Sequence, residues 1–185
     1  MRFADLPAPP AHPLQSLVEF GALWDLAASD GARRVAEIGS LDGGTLWYWL
    51  QLPDAREVTA VDLSTREAWQ GWTDAVLLPD LHIVSGDSHD PRTLATARAC
   101  MTGPLDLLFL DGDHTFEGVA QDFTMWGPLV RKGGVIAFHD TVVNGTRDEP
   151  GVRKFVEELK RTWRWLSIEF FDPDGAGITA FRDAT

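Results

Sequence analysis

Val35-Ala36-Glu37-Ile38-Gly39-Ser40-Leu41-Asp42-Gly43-Gly44-Thr45 reads as a buried strand, an acidic residue, a glycine-rich turn and the start of a helix. A second strand, Val58-Thr59-Ala60-Val61, ends in Asp62. Strand, glycine turn, helix, strand, acid is the order in which an open α/β sheet holds a nucleoside at the carboxyl ends of its strands. The glycines allow close backbone approach, and Asp62 is placed to accept hydrogen bonds from ribose hydroxyls.

The spacing separates ligand classes. A dinucleotide fingerprint, G-x-G-x-x-G, directs backbone N–H groups and a helix N-terminus at a pyrophosphate. Here Leu41 stands at the second glycine of that pattern, leaving Glu37-x-Gly39-x-x-x-Gly43-Gly44. A glutamate repels a pyrophosphate but suits a ligand with a cationic amino-acid portion, such as S-adenosylmethionine. A nicotinamide dehydrogenase is disfavoured on the same grounds.

Working outward, apolar runs at strand length alternate with helical patterns. Helices are expected over 14–28, 45–52, 65–78, 91–101, 116–130 and 152–163. Strands are expected over 33–38, 57–62, 81–84, 105–110, 134–138, 166–171 and 177–181. Continuous apolar strands between helices imply a parallel sheet covered on both faces. The last two strands, joined by Asp172-Pro173-Asp174-Gly175, read as a hairpin at one edge. The expected fold is one α/β domain over 14–185: a doubly wound, Rossmann-like, seven-stranded, mostly parallel sheet with an antiparallel edge hairpin. A proline-rich segment, 1–13, precedes it.

Composition narrows the function classes. The chain has 185 residues, a net charge of −12 and one cysteine, Cys100. An acidic chain is a poor partner for nucleic acid or an anionic membrane. One cysteine supports neither an internal disulfide nor a structural zinc site. No apolar run reaches the ~18–20 residues of a membrane span, and 1–13 lacks the features of a secretory signal. Asn144-Gly145-Thr146 reads as a turn. A cytoplasmic protein with a small-molecule substrate is expected.

Each of the first five strands ends in or near an acid: Glu37, Asp62, Asp87, Asp111 and Asp140. Neighbouring strands lie about 4.8 Å apart, so the acids would share one rim. Helix capping accounts for single members, but five together repel unless a cationic ligand or a metal joins them. Asp87 and Ser88 are placed to meet an adenine amine. Asp111 opens the polar run Asp111-Gly112-Asp113-His114, and His139-Asp140 closes the neighbouring strand, so these carboxylates are positioned to share a divalent cation such as Mg²⁺. Asp113 is expected to cap the 116–130 helix. Of the eight tryptophans, Trp47, Trp49 and Trp126 are expected mostly in the core. Trp69 and Trp72 fall in a segment able to cover a ligand, and 141–150 is a candidate lid. His12, His82 and His89 have no comparable context.

Glu37-Ile38-Gly39, Asp62, Gly86-Asp87-Ser88, Asp111-Gly112-Asp113-His114-Thr115-Phe116-Glu117-Gly118-Val119, the 128–134 run ending in Gly133-Gly134, and Phe138-His139-Asp140 together resemble class I S-adenosylmethionine-dependent methyltransferases. The closer similarity is to the branch with cephalosporin-hydroxylase-like and macrocin-type O-methyltransferases, from Val35 to Phe181. The resemblance implies a cofactor site of Glu37, Gly39, Ser40, Gly43, Asp62, Leu63, Asp87, Ser88 and Asp111. It implies Asp111, His139 and Asp140 as metal ligands, and His114 with Asp111 as the catalytic pair, His114 being the general base. Relatives usually pair two oxygen donors where this chain has His139-Asp140; imidazole fits Mn²⁺, Fe²⁺ or Zn²⁺ better than Mg²⁺. The expected function is O-methylation of a small hydroxylated metabolite, with a homodimer partner available to complete the pocket. A metal-independent N- or C-methyltransferase and a non-catalytic nucleoside-binding module are the alternatives.

Overall fold

The computed structural model describes residues 1–64, 80–142 and 151–182. The expected 65–78 helix with Trp69 and Trp72, most of the 141–150 lid and the 144–146 turn lie outside the described residues. The described elements are α1 (Leu17–Ser29), β1 (Arg34–Ile38), α2 (Gly44–Trp49), β2 (Glu57–Asp62), β3 (Asp80–Ser85), α3 (Pro91–Cys100), β4 (Leu105–Leu110), α4 (Phe116–Trp126), β5 (Val130–His139), α5 (Gly151–Thr162), β6 (Leu166–Phe170) and β7 (Ile178–Arg182).

All seven strands form one sheet in the order β3-β2-β1-β4-β5-β7-β6. The pairs from β3 through β5 are parallel. Strand β7 runs antiparallel to both β5 and β6. The doubly wound sheet with its hairpin edge is therefore present, with β7 on the inner side of the hairpin. The central strands are apolar throughout because both faces are covered, and alternate residues serve opposite layers. Val35, Val58 and Phe109 pack with Phe20, Trp24 and Trp49 on one face. Ala36, Leu108 and Phe138 pack with Trp126, Phe155 and Phe181 on the other. Truncating a fully buried ring such as Phe109 to alanine would cost about 3–5 kcal/mol.

Local chemistry sets the helix ends. Ser16 accepts from Val18 N at 3.2 Å to start α1, and Asp90 accepts from Arg92 N at 2.8 Å beside Pro91, the first residue of α3. Helix α5 buries Val152, Phe155, Val156 and Leu159 as a single stripe. Strand β5 starts four residues before its expected position. Its pairing with β4 runs from Leu105↔Val130 to Leu107↔Val135, so the turn-like residues around Gly133 (φ +72°) are absorbed as an irregularity within the strand. The 116–130 helix correspondingly ends at Trp126 and continues as a short 3₁₀ turn, Gly127–Leu129.

The proline-rich segment packs on the domain. The Phe3 ring lies 5.8 Å from Phe20 and 4.5 Å from Tyr48. Among the described residues no helix is long and apolar enough to cross a membrane.

Candidate active site

Parallel pairing of β1, β2, β3, β4 and β5 brings their C-terminal ends to one rim, and a cavity of about 1490 Å³ opens there. Gly39, Ser40, Asp62, Leu63, Asp87, Ser88 and Asp111 of the expected cofactor set line it, as do His114, His139 and Asp140.

Glu37 and Gly43 are not among the lining residues. Glu37 is fully buried, accepting from Thr45 Oγ1 at 2.7 Å and Trp49 Nε1 at 2.6 Å, so it ties β1 to α2 behind the cavity wall. Burial pushes its carboxyl up to about 8, against the lowering effect of those hydrogen bonds. Gly43 begins α2 with φ +81°. Gly39, at φ +86°, is demanded by the neighbouring strand: a Cβ there would stand 2.2 Å from the Asp111 carbonyl oxygen. Leu41 takes φ +43°, costly for a branched side chain, and its N–H donates to Asp62 Oδ2 at 2.9 Å beside that of Ser40 at 3.0 Å. Asp62 thus holds the turn as well as facing the cavity.

At the mouths of β4 and β5 the acids and histidines interlock. His139 Nδ1 lies 3.0 Å from Asp111 Oδ1 and 3.5 Å from Asp140 Oδ2. His114 Nδ1 lies 3.0 Å from Asp140 Oδ2, and its Nε2 is 3.4 Å from Asp111 Oδ1. Hydrogen bonds to Asp111 and Asp140 raise His114 to about 10. Burial opposes the same shift in His139, but its carboxylate neighbours carry it to about 10 as well. Burial acts to raise Asp111 and Asp140, and the two imidazoles overcome it, holding both carboxyls below the usual range. Asp140 sits at φ +57°, a conformation aspartate tolerates.

Asp111, His139 and Asp140 each offer one ligand atom, all within 4.8 Å of one another. His139 Nε2 is buried without a hydrogen-bond partner among the described residues. Once His139 gives up its proton to an incoming cation, this set offers one nitrogen and two oxygen donors and fits Mn²⁺, Fe²⁺ or Zn²⁺ better than Mg²⁺.

Several residues have roles their sequence context did not suggest. Thr115, not Asp113, caps α4, accepting from Gly118 N at 3.0 Å; Asp113 Oδ1 instead accepts from Thr115 N at 2.8 Å and shapes the turn before it. The cap falls to the residue directly before the helix, because only its oxygen reaches the N–H three positions on. His12 and His89, which have no distinctive sequence context, both line the cavity. Gln15 of the N-terminal segment donates from Nε2 to Asp111 Oδ2. Glu19, fully buried on α1, accepts from the backbone of Asp172 at 2.8 Å and Gly177 at 3.0 Å, fixing a hairpin turn that also borders the cavity. Burial raises its carboxyl. No periodicity or motif announces these long-range contacts.

A family model for a methyltransferase domain matches residues 36–141. Protein R132 of Acanthamoeba polyphaga mimivirus, itself uncharacterised, is 27% identical over 110 residues. The match covers 56% of this chain and 49% of R132, so the chain spans about half the length of that curated relative. An O-methyltransferase from Bacillus cereus, solved with S-adenosylhomocysteine, is 25% identical with a TM-score of 0.69, covering 94% of this chain and 84% of its own. The methyltransferase MycE of the mycinamycin biosynthetic pathway, solved with Mg, S-adenosylhomocysteine and mycinamycin VI, shares the fold at 21% identity and a TM-score of 0.64, covering 89% of this chain and 50% of its own. The family match takes in the glycine turn, Asp62, Asp87, the 111–119 run and His139-Asp140, more than half of the sequence, and the protein belongs to the methyltransferase-domain family.

Proposed function

We propose that the protein is an S-adenosylmethionine-dependent methyltransferase acting on an oxygen of a small hydroxylated acceptor. The observation that carries this reading is the meeting of His114 and His139 with Asp111 and Asp140 at the mouths of β4 and β5, in the same cavity as the glycine turn and Asp62. The S-adenosylhomocysteine bound by the Bacillus cereus enzyme supports the cofactor.

Asp62 would hold the ribose hydroxyls, Asp87 and Ser88 the base, and the Gly39–Leu41 turn the amino-acid portion. Glu37 and Gly43 fix that turn from behind. The described lining carries eight aspartates and no lysine or arginine, which favours a ligand of net positive charge. S-adenosylmethionine supplies an electrophilic methyl on a cationic sulfur: an oxygen–carbon bond forms as the carbon–sulfur bond breaks, its electron pair stays on sulfur, and the hydroxyl proton goes to a base.

The protein orients the reacting oxygen and manages that proton. Two carboxylates keep His114 protonated at neutral pH in the free protein. Its imidazolium lowers the pKa of a hydroxyl beside it. The ring becomes the proton acceptor once its own proton has passed to solvent across its half-exposed side. Asp111, His139 and Asp140 would hold a divalent cation, which would lower the acceptor pKa further. The Mg in MycE supports that role. A metal-independent reaction is the second reading, favoured by the way two imidazoles already balance two carboxylates.

Calorimetric titration with S-adenosylhomocysteine is the deciding experiment. Micromolar binding that collapses in Asp62→Ala is expected, and a folded protein that binds nothing would end this reading. Methyl transfer measured with and without a chelator then separates the two versions.

A further inference from the structure

We propose that Asp122 and His89 are positioning residues for the base-holding end of the cavity, bracing the loop after β3 so that the Asp87 carboxylate stays aimed at an exocyclic amine. This rests on the nucleoside reading of the cavity given above. The starting observation is an anomaly in α4. Its buried residues, Gly118, Val119, Asp122 and Trp126, recur at helical spacing as one core-facing stripe, and one of them is an acid. The Asp122 side chain is 2% exposed. A carboxyl so placed is costly unless polar partners offset its desolvation, and a residue serving only the core would be apolar.

Its partners are Ser88 and His89, both on the loop that follows β3. Ser88 is a polar neighbour that works against the effect of burial on the Asp122 carboxyl, and Trp126 Nε1 donates to the Ser88 carbonyl at 3.0 Å. His89 Nε2 lies 3.1 Å from the Gly118 carbonyl and 3.3 Å from Asp122 Oδ1. The Gly118 carbonyl can only accept, so the first contact takes its proton from Nε2. The His89 backbone N–H in turn donates to Asp87 Oδ1 at 2.9 Å. The Asp87 side chain is 60% exposed, so this bond and the loop behind it hold its direction. A chain of contacts therefore runs from the core face of α4, through one imidazole, to the acid that faces the ligand.

The test is calorimetry with two ligands, S-adenosylhomocysteine and S-inosylhomocysteine, the second carrying an oxygen in place of the exocyclic amine. The wild type should prefer the first. Asp122→Ala and His89→Ala should each weaken it about tenfold, the scale of one hydrogen bond involving a charged group, and leave S-inosylhomocysteine within about twofold. His89→Gln, whose amide N–H reaches the same carbonyl, should restore most of the preference. The near-isosteric Asp122→Asn serves if the alanine variant does not fold. Equal weakening of both ligands, or an unchanged preference, overturns the positioning role. A wild type that binds neither ligand overturns the functional reading itself.

Discussion

Glu37 Oε2 accepts a 2.6 Å hydrogen bond from Trp49 Nε1, which places an ionisable group with no solvent exposure beneath the glycine turn. Its carboxyl is raised from 4.5 to about 8 by burial. Between those values the folded protein holds a proton that the unfolded chain releases. This contribution is therefore full below pH 4.5 and falls by about 1.4 kcal/mol per pH unit as pH rises towards about 8. Glu37→Gln retains an acceptor and a donor and does not titrate. Urea unfolding of both proteins from pH 5 to 8.5 should show the wild type losing stability relative to the variant. Parallel curves would mean that Glu37 is already ionised in the fold.

Gly39 is predicted to be the least replaceable residue of the turn. Alanine there meets both a left-handed φ and the Asp111 backbone, and we expect Gly39→Ala to destabilise the protein by about 2–4 kcal/mol. Gly43, at φ +81°, also lies in the left-handed region, and Gly43→Ala should cost about 1 kcal/mol. Thermal unfolding of the pair checks the order; equal losses would show that the Gly39 site relaxes.

The acidic cavity has a consequence for ionic strength. S-adenosylmethionine carries one more positive charge than S-adenosylhomocysteine, and the described lining offers eight aspartates without a lysine or arginine. Beyond the described residues, 65–79 carries Arg66 with Glu67 and Asp74, and 143–150 carries Arg147 with Asp148 and Glu149, so neither segment adds net positive charge. Raising salt from about 0.05 to about 0.5 M should weaken the cationic ligand several-fold more than the neutral one. Identical salt slopes would count against an electrostatic role for the rim.

Asp111, His139 and Asp140 predict divalent-cation binding that can be measured without an acceptor. Manganese titrated into the chelator-treated protein should bind at one site, and His139→Ala or Asp140→Asn should weaken it by at least about tenfold. Retained affinity in both variants would place any cation elsewhere.

The strands were legible because they are buried on both faces and so read as unbroken apolar runs: 57–62 and 105–110 appear with their expected bounds. The rim was legible because parallel topology places all strand ends together, whatever the side chains do. Side-chain direction was not. Glu37, read as a ligand neighbour, turns instead towards Thr45 and Trp49, because residues on a strand alternate and the rim offers only one side to the cavity. His89 carried no motif, since its partners Gly118 and Asp122 lie about 30 residues away. Gln15, 96 residues from Asp111, was equally silent.

That contact yields the last prediction. Asp111 divides its carboxylate: Oδ1 faces His139 and His114, and Oδ2 receives the amide of Gln15. The Gln15 amide thereby sets the plane in which Asp111 meets the two imidazoles. The segment carrying Gln15 is anchored independently, by Phe3 against Phe20 and Tyr48 and by Ser16 Oγ donating to Asp172 Oδ2 at 2.5 Å. Gln15→Ala should therefore leave the melting temperature within about 2 °C, the scale of a change well below 1 kcal/mol. Binding of S-adenosylhomocysteine should stay within about twofold, while single-turnover methyl transfer falls about tenfold. Gln15→Glu, which sets a second negative charge against Asp111, should lose more. If Gln15→Ala instead weakens the cofactor and leaves transfer intact, the N-terminal segment serves the nucleoside end of the cavity and not the reacting oxygen.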